Sequence, residues 1–379
     1  MDITLPTPVL AGLSPQTFMR RHWQKKPLLI RQAMPAVQPP ATRAELFALA
    51  ARDDVDSRLI VKGAAGWTMR HGPLTRRQLP PLSQPGWTLL VQGLDLHLPA
   101  ANALLSMFRF VPDARLDDLM VSYATDAGGV GPHFDSYDVF LLQVQGRRRW
   151  RIGRMADATL QPDVPLKILA NFEPEQEFVL DPGDMLYLPP RWAHDGVAEG
   201  ECMTCSIGFR APNDAEVVRE ILQRLLETDT PDETAKRYRD PQQTATDAPG
   251  RVPAALQAFA GNAVDAVLRD PTALACLLGE WLSEPKPQVW FDEDASTQPP
   301  TGVRLDPRSR MLYDDEHVFL NGESYRASGR DAALMRRLAD ARSLDAAALR
   351  GLSAGARELV MGWLQSGWLQ RMKMASVTH

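Results

Sequence analysis

A histidine and a carboxylate stand two residues apart at His133 and Asp135, just before an apolar run that is typical of a β-strand. Side chains of alternate residues lie on one face of a strand, so both could bind the same cation. A third candidate ligand, His194, follows the stiff pair Pro189-Pro190 later in the chain. Two imidazoles and one carboxylate, with other coordination positions open, form the facial triad of non-haem Fe(II) oxygenases. The sequence therefore predicts an Fe(II) site at these three residues.

A second chemical signal is a basic strand that follows a turn at Gly146. Alternation places Arg148 on the same face as Trp150 and Ile152, which point into the interior. Burying an arginine is costly unless an anion pairs with it. We therefore expect Arg148 to bind an anionic group inside the fold.

Short apolar runs, separated by proline- and glycine-rich breaks, must position these residues. They include Trp87–Val91, Met120–Tyr123 and Met203–Phe209, and an Asp-Pro-Gly-Asp turn at 181–184 joins two more strands. This pattern is typical of a barrel or a sandwich. We predict a mainly β domain over residues 1–211.

Beyond residue 211 the apolar residues recur at helical spacing, which predicts a helical region over residues 212–283. Its first helix carries an apolar stripe formed by Val217, Val218, Ile221, Leu222 and Leu225. Such a stripe needs a partner surface, which is either the chain's own barrel or a second copy of the chain. Because symmetric pairing is common, we expect a homodimer.

Residues 284–379 combine strand hairpins with helices, which suggests a winged-helix domain. Its charge is balanced, with 13 Lys and Arg residues against 13 Asp and Glu residues over 281–379. A neutral winged helix is a poor reader of DNA, so no direct DNA binding is expected.

Composition excludes several classes of protein. The chain has 44% hydrophobic residues, 23% charged residues and a net charge of −5, which fits a soluble globular protein and favours a basic partner. There is no apolar run long enough for a membrane span, and three cysteines are too few for a disulfide framework. Cys202 and Cys205 form a C-x-x-C, but no second pair completes a zinc site. We expect a cytoplasmic protein without a membrane partner.

The motifs taken together resemble those of a known family. They are His133-x-Asp135, Asp138-Val139-Phe140, Gly146 to Trp150, Pro182-Gly183-Asp184, Pro189-Pro190 with His194, and an N-terminal Trp23 to Arg31. This set resembles the JmjC/cupin 2-oxoglutarate oxygenases, and specifically the bacterial ribosomal oxygenases. The resemblance implies a double-stranded β-helix, a helical dimerisation segment and a C-terminal winged helix.

The resemblance also implies a function. It predicts a hydroxylase that uses Fe(II), 2-oxoglutarate and O2 to modify an arginine of a large-subunit ribosomal protein. His133, Asp135 and His194 match the iron ligands, and Arg148 matches the residue that binds the distal carboxylate of 2-oxoglutarate.

Four further residues are expected in the site from the same resemblance. Tyr123 and Ser206 lie on strands that supply hydrogen bonds to the co-substrate, while Asp126 and Tyr137 flank the metal motif as candidates for the substrate pocket. Asp126 stands where the family often has proline, so its role is a departure from the pattern.

Two alternatives remain open on sequence alone. One is the same chemistry on a histidine or a methylated lysine. The other is a cupin sensor coupled to a winged helix, that is, a transcription regulator, which the balanced C-terminal charge disfavours.

Overall fold

The computed structural model describes residues 2–64, 66–227, 237–241, 251–296 and 298–372. The chain divides into two compact units, one formed by residues 1–211 with 287–289 and the other by residues 212–286 with 290–379. The division into three domains at 211 and 283 stays a prediction.

The N-terminal unit is built mainly of antiparallel strands. Its elements are α1 Pro15–Arg21, β1 Leu28–Ile30, α2 Arg43–Ala50, β2 Ser57–Gly63, β3 Gly66–His71, β4 Trp87–Val91, α3 Leu94–His97, α4 Pro99–Ser106, β5 Leu116–Ala124, β6 Val139–Arg154, β7 Gln176–Leu180, β8 Met185–Leu188 and β9 Trp192–Phe209. The strand order is β1-β8-β6-β9-β5-β4-β2-β3, with β7 paired to β6.

The two longest strands, β6 and β9, are bent together at their middle. Gly146 and Gly200 have φ values of 61° and 76°, a left-handed conformation that glycine adopts readily. A Cβ at Gly146 would also lie 2.1 Å from the carbonyl oxygen of Glu201. The first half of β6 pairs with β8 and the end of β9, whereas its second half pairs with β7 and the start of β9. The bent sheet is the predicted double-stranded β-helix, which confirms the fold class.

Alternation along β6 separates two apolar clusters. Val139 and Leu141 belong to a cluster that contains Trp150, while Phe140 and Leu142 belong to the large core beneath the N-terminal segment. One face of β6 therefore lines the interior of the bent sheet, and the other face is covered by residues from the start of the chain.

The C-terminal unit contains the helical region and two small antiparallel sheets. Its elements are α5 Asp214–Glu227, α6 Ala254–Leu268, α7 Pro271–Ser283, β10 Gly302–Leu305, β11 Met311–Tyr313, β12 His317–Leu320, β13 Glu323–Arg326, α8 Gly329–Ala341, β14 Ser343–Asp345, α9 Ala346–Gly351, α10 Ala354–Gln365 and β15 Leu369–Arg371. The sheets have the orders β14-β10-β15 and β11-β12-β13. A buried cluster that includes Leu338, Leu364 and Trp363 joins the helices to the sheets.

Within the residues that the structure describes, no helix has the length and apolar character needed to cross a membrane.

Candidate metal centre and co-substrate cavity

The three predicted metal ligands meet at the interior of the bent sheet. His133 and Asp135 lie on the segment that leads into β6, and His194 lies near the start of β9. The ligand atoms of the three side chains are all within 4.8 Å of one another. Asp135 Oδ2 is 3.7 Å from His194 Nε2. One divalent cation can therefore be bound by all three.

Backbone hydrogen bonds hold the two histidines side by side. The amide of His133 donates to the carbonyl of His194 at 3.0 Å, and the amide of His194 donates to the carbonyl of His133 at 2.8 Å. Their ring centroids are 4.2 Å apart. This reciprocal bridge fixes the ligand-bearing segment against β9.

The orientation of both imidazoles suits metal binding. His133 Nδ1 is 2.9 Å from the carbonyl oxygen of Gly131, and His194 Nδ1 is 3.0 Å from that of Trp192. When each Nδ1–H donates to its carbonyl, each Nε2 lone pair is left for a metal. Burial, followed by the nearby charge of His133, lowers the pKa of His194. The neutral form that a metal requires is therefore favoured.

A cavity of about 460 Å³ extends from the three ligands into the fold. Its polar and charged lining residues are Arg58, Gln92, Asp117, Asp118, Ser122, His133, Asp135, Tyr137, Arg148, Lys167, His194, Thr204 and Ser206. The sequence-predicted residues Arg148, Ser206 and Tyr137 are in this lining, together with the three predicted metal ligands.

Arg148 is 2% exposed and is held in place by two hydrogen bonds. Its Nη1 donates to the hydroxyl of Ser122 at 2.9 Å, and its Nη2 donates to the carbonyl of Gly196 at 3.2 Å. No carboxylate among the described residues forms an ion pair with Arg148. The nearby Asp195 pairs with Arg151. Burial lowers the pKa of the guanidinium. An arginine in this position fits an anion bound in the cavity.

Acidic residues, in contrast, surround Tyr137, which lines the cavity and is 39% exposed. Partial loss of solvent around this side chain, followed by the negative charges of Asp135, Asp118 and Asp117, raises the pKa of Tyr137 above its ordinary value. The cavity therefore has an acidic wall at Asp117 and Asp118, of which Asp117 forms an ion pair with Arg210 at 3.4 Å. Its basic lining residues are Arg148, Arg58 and Lys167.

Tyr123 does not line the cavity, contrary to the prediction. It is fully buried on the other face of β5, where its ring packs against Phe47 and Trp87. The neighbouring Ser122 faces the cavity instead. Alternation along 118–123 could have shown this, because Asp118 and Ser122 alternate with the apolar Leu119, Val121 and Tyr123.

Asp126 also lies outside the cavity lining. It is exposed at the bend of the sheet, where its Oδ1 accepts a hydrogen bond from the amide of Gly200 at 2.8 Å. Asp126 therefore contacts β9 at Gly200, six residues beyond the metal ligand His194, and its place in a substrate pocket stays a prediction. Asp117, Asp118 and Thr204 were missed by sequence reasoning, since only the folded sheet brings them to the metal ligands.

The fold and the site together are those of the JmjC/cupin class of proteins. A model described as "JmjC domain" matches residues 103–217, and one described as "ROXA-like winged helix" matches residues 266–370. The second match confirms the predicted winged helix.

Individual relatives give a narrower assignment. The chain is 34% identical to the ribosomal protein uL16 3-hydroxylase of Escherichia coli, over 83% of this chain and 86% of that protein. It is 31% identical to a probable ribosomal oxygenase of Haemophilus influenzae, over 97% and 98% of the two chains. The crystal structure of E. coli ycfD matches with a TM-score of 0.83 and 28% identity, covering 95% of this chain and 98% of that one. This chain belongs to the JmjC-domain ribosomal oxygenase family.

A related structure shows ligands in such a fold. The ribosomal oxygenase YcfD from E. coli in complex with cobalt and 2-oxoglutarate matches with a TM-score of 0.79 and 28% identity, over 95% of this chain and 98% of that one.

Proposed function

We propose that this chain is an Fe(II)- and 2-oxoglutarate-dependent oxygenase that hydroxylates an arginine side chain of a large-subunit ribosomal protein. The observation that carries the proposal is Arg148, a buried guanidinium without a carboxylate partner among the described residues, in the same cavity as His133, Asp135 and His194. A dicarboxylate that chelates a metal at one end and needs a cation at the other fits this arrangement.

The residues of the cavity have separate tasks in this function. His133, Asp135 and His194 would hold Fe(II), which together with 2-oxoglutarate and O2 supplies the oxidising chemistry when bound. Arg148 would bind the distal carboxylate, and Ser122 holds the guanidinium in position. Ser206 and Thr204 also line the cavity, and the hydroxyl of Thr204 donates to Gln143 Oε1 at 2.9 Å.

The choice of arginine as the target rests on the acidic wall. Asp117 and Asp118 line the cavity with Tyr137, so a cationic side chain entering there meets carboxylates and an aromatic surface. Asp117 also pairs with Arg210, and Asp118 accepts a hydrogen bond from the amide of Gly93. A guanidinium carries parallel N–H donors that match a carboxylate, which an imidazole lacks. These features support arginine over histidine.

The ribosomal partner is supported by the named relatives and by the net charge of −5, which favours a basic protein. Cytoplasmic location follows as part of the proposal, since that is where such a partner is made. The balanced charge of residues 281–379 supports the absence of direct DNA binding.

Mass spectrometry tests this function. The purified chain is incubated with Fe(II), 2-oxoglutarate and basic ribosomal protein fragments, and one arginine is expected to gain a single oxygen atom. His133→Ala should abolish the gain, and Arg147→Ala, which changes an exposed arginine beside Arg148, should leave it intact. Oxygen addition confined to histidine, or loss of a methyl group from lysine, would contradict the arginine assignment.

A further inference from the structure

The N-terminal motif Trp23 to Arg31 does not line the cavity described above, but its Gln24 contacts the segment that carries two of the metal ligands. We use the name metal loop for residues 133–138, which carry two ligands and end at the start of β6. Asp138 closes this loop and is completely buried. Val139 faces the cavity and Phe140 faces the core under the N-terminal segment, and Asp138 lies on the same side as Phe140.

Three groups meet at the back of the metal loop. Asp138 Oδ1 accepts a hydrogen bond from the hydroxyl of Tyr187 at 2.6 Å, and Asp138 Oδ2 accepts one from Nε2 of Gln24 at 3.2 Å. The backbone amide of Gln24 donates to the same Tyr187 hydroxyl at 2.8 Å. The contacts form a closed set that joins the N-terminal segment, β8 and the metal loop.

Gln24 is held in an unusual backbone conformation at this point. Its φ of 56° lies in the left-handed region, which residues other than glycine seldom adopt. Both its amide and its side chain are used in the contacts with Tyr187 and Asp138. The neighbouring Trp23 packs against the rings of Tyr187 and Phe209, at centroid distances of 6.1 Å and 4.9 Å. The segment is therefore docked by both packing and hydrogen bonds.

Different contacts hold the two sides of the metal loop, which we call the front, toward His194, and the back, toward Gln24 and Tyr187. At the front, the backbone bridge to His194 fixes His133, and the amide of Arg191 donates to the carbonyl of Asp135 at 2.8 Å. At the back, Asp138 connects the loop to the N-terminal segment through Gln24 and to β8 through Tyr187. Arg115 Nη2 also lies 3.8 Å from Asp138 Oδ2. Because Asp135 lies three residues before Asp138, the anchor limits where the ligand carboxylate can lie.

We propose that Asp138, Tyr187 and Gln24 act as positioning residues for the metal centre, so that the N-terminal segment sets the affinity of the metal loop for its cation. The inference rests on the proposed function in that His133, Asp135 and His194 bind a metal. None of the three positioning residues is in the cavity lining, so their effect is exerted through the backbone of the loop.

The test measures binding of Co²⁺ alone to the full chain by calorimetry, without 2-oxoglutarate or substrate. Tyr187→Phe and Gln24→Ala are expected to weaken Co²⁺ binding by about tenfold, the lower end of what loss of supporting contacts costs at metal sites. Gln24→Ala removes the side-chain donor to Asp138 and leaves the backbone amide of residue 24 to donate to Tyr187. Circular dichroism confirms that each variant is folded at the temperature of the titration.

A matched control separates positioning from general stability. Asp184 is another buried carboxylate that binds the N-terminal segment, through Arg31 and the amide of Gln32, but it lies on the turn before β8 and not on the metal loop. Asp184→Asn should lower the melting temperature and leave the Co²⁺ affinity unchanged. Wild-type affinity in both Tyr187→Phe and Gln24→Ala, or an equal loss in Asp184→Asn, would overturn the positioning role. Absence of Co²⁺ binding by the unchanged chain would overturn the proposed function and this inference with it.

Discussion

At the scale of single residues, a change at Arg148 should affect the binding of 2-oxoglutarate but not the binding of the metal. Arg148→Ala should weaken 2-oxoglutarate binding roughly 10- to 100-fold, since hydrogen bonds to charged groups contribute about 1.5–3 kcal/mol. The 2-oxoglutarate affinity of Arg148→Lys should lie between those of the unchanged protein and Arg148→Ala, because an ammonium reproduces the charge but not the paired N–H donors. Co²⁺ affinity should not change. The measurement is a 2-oxoglutarate titration of the Co²⁺-loaded protein.

The neighbouring Arg147 provides the control for that experiment. Its side chain is 54% exposed and makes surface ion pairs with Asp181 and Glu199. Arg147→Ala should therefore bind 2-oxoglutarate like the unchanged protein. Equal affinity in Arg148→Ala would show that the distal carboxylate is bound elsewhere.

A second residue-scale prediction concerns pH and Asp184. Burial acts to raise its pKa, but hydrogen bonds from the amide of Gln32, from Arg31 and from the amide of Asp181 outweigh this, so the pKa lies below its ordinary value of 3.8. The folded state therefore favours the carboxylate. Its contribution to stability is complete above the unfolded-state pKa and is lost as the pH falls through the lower folded-state pKa.

The consequence can be measured by chemical denaturation. Asp184→Asn should reduce the free energy of unfolding at pH 7 by about 1–3 kcal/mol, because it removes a buried charged acceptor. The difference from the unchanged protein should shrink as the pH is lowered from 4. A difference that stays constant down to pH 2.5 would contradict the assigned pKa direction.

At the scale of elements, helix α5 has the properties of an interface. All its residues are described, and none is fully buried within the chain. Val218, Leu222 and Leu226 are 55%, 46% and 88% exposed. An exposed apolar stripe of this kind favours association, so the homodimer predicted from the sequence stays our expectation.

Light scattering at micromolar concentration tests the dimer. The unchanged chain should have twice its mass of 42.1 kDa, and Leu222→Asp should be monomeric because it places a charge in the apolar stripe. Gln223→Asp, on the same helix, is the control and should remain dimeric. A monomeric unchanged chain would show that the stripe is not a dimer interface.

At the scale of the whole molecule, charge should govern the encounter with a basic partner. The net charge of −5 attracts cations over about 10 Å at 0.1 M salt and over about 3 Å at 1 M. The KM for a basic ribosomal fragment should therefore rise with salt, while kcat changes little. A KM that is independent of salt between 0.05 M and 0.5 M would exclude long-range steering.

The sequence by itself determined the chemistry and most of the architecture. The His133-x-Asp135 spacing and the later His194 specified a metal triad because ligand identity and strand alternation are local properties. The inward face of Arg148 followed from the same alternation. Hydrophobic spacing likewise indicated the change from strands to helices near residue 211, because periodicity reports which face of an element is buried.

Only the tertiary structure decided which neighbours complete the site. Ser122 replaces Tyr123 at the cavity, and Asp126 lies at the bend near Gly200, because strand register and the bend of the sheet place residues that are distant in sequence side by side. The contacts of Asp138 with Gln24 and Tyr187 span 114 and 49 residues. No local pattern encodes such pairs, since each partner is an ordinary polar residue until the N-terminal segment is docked behind the metal loop.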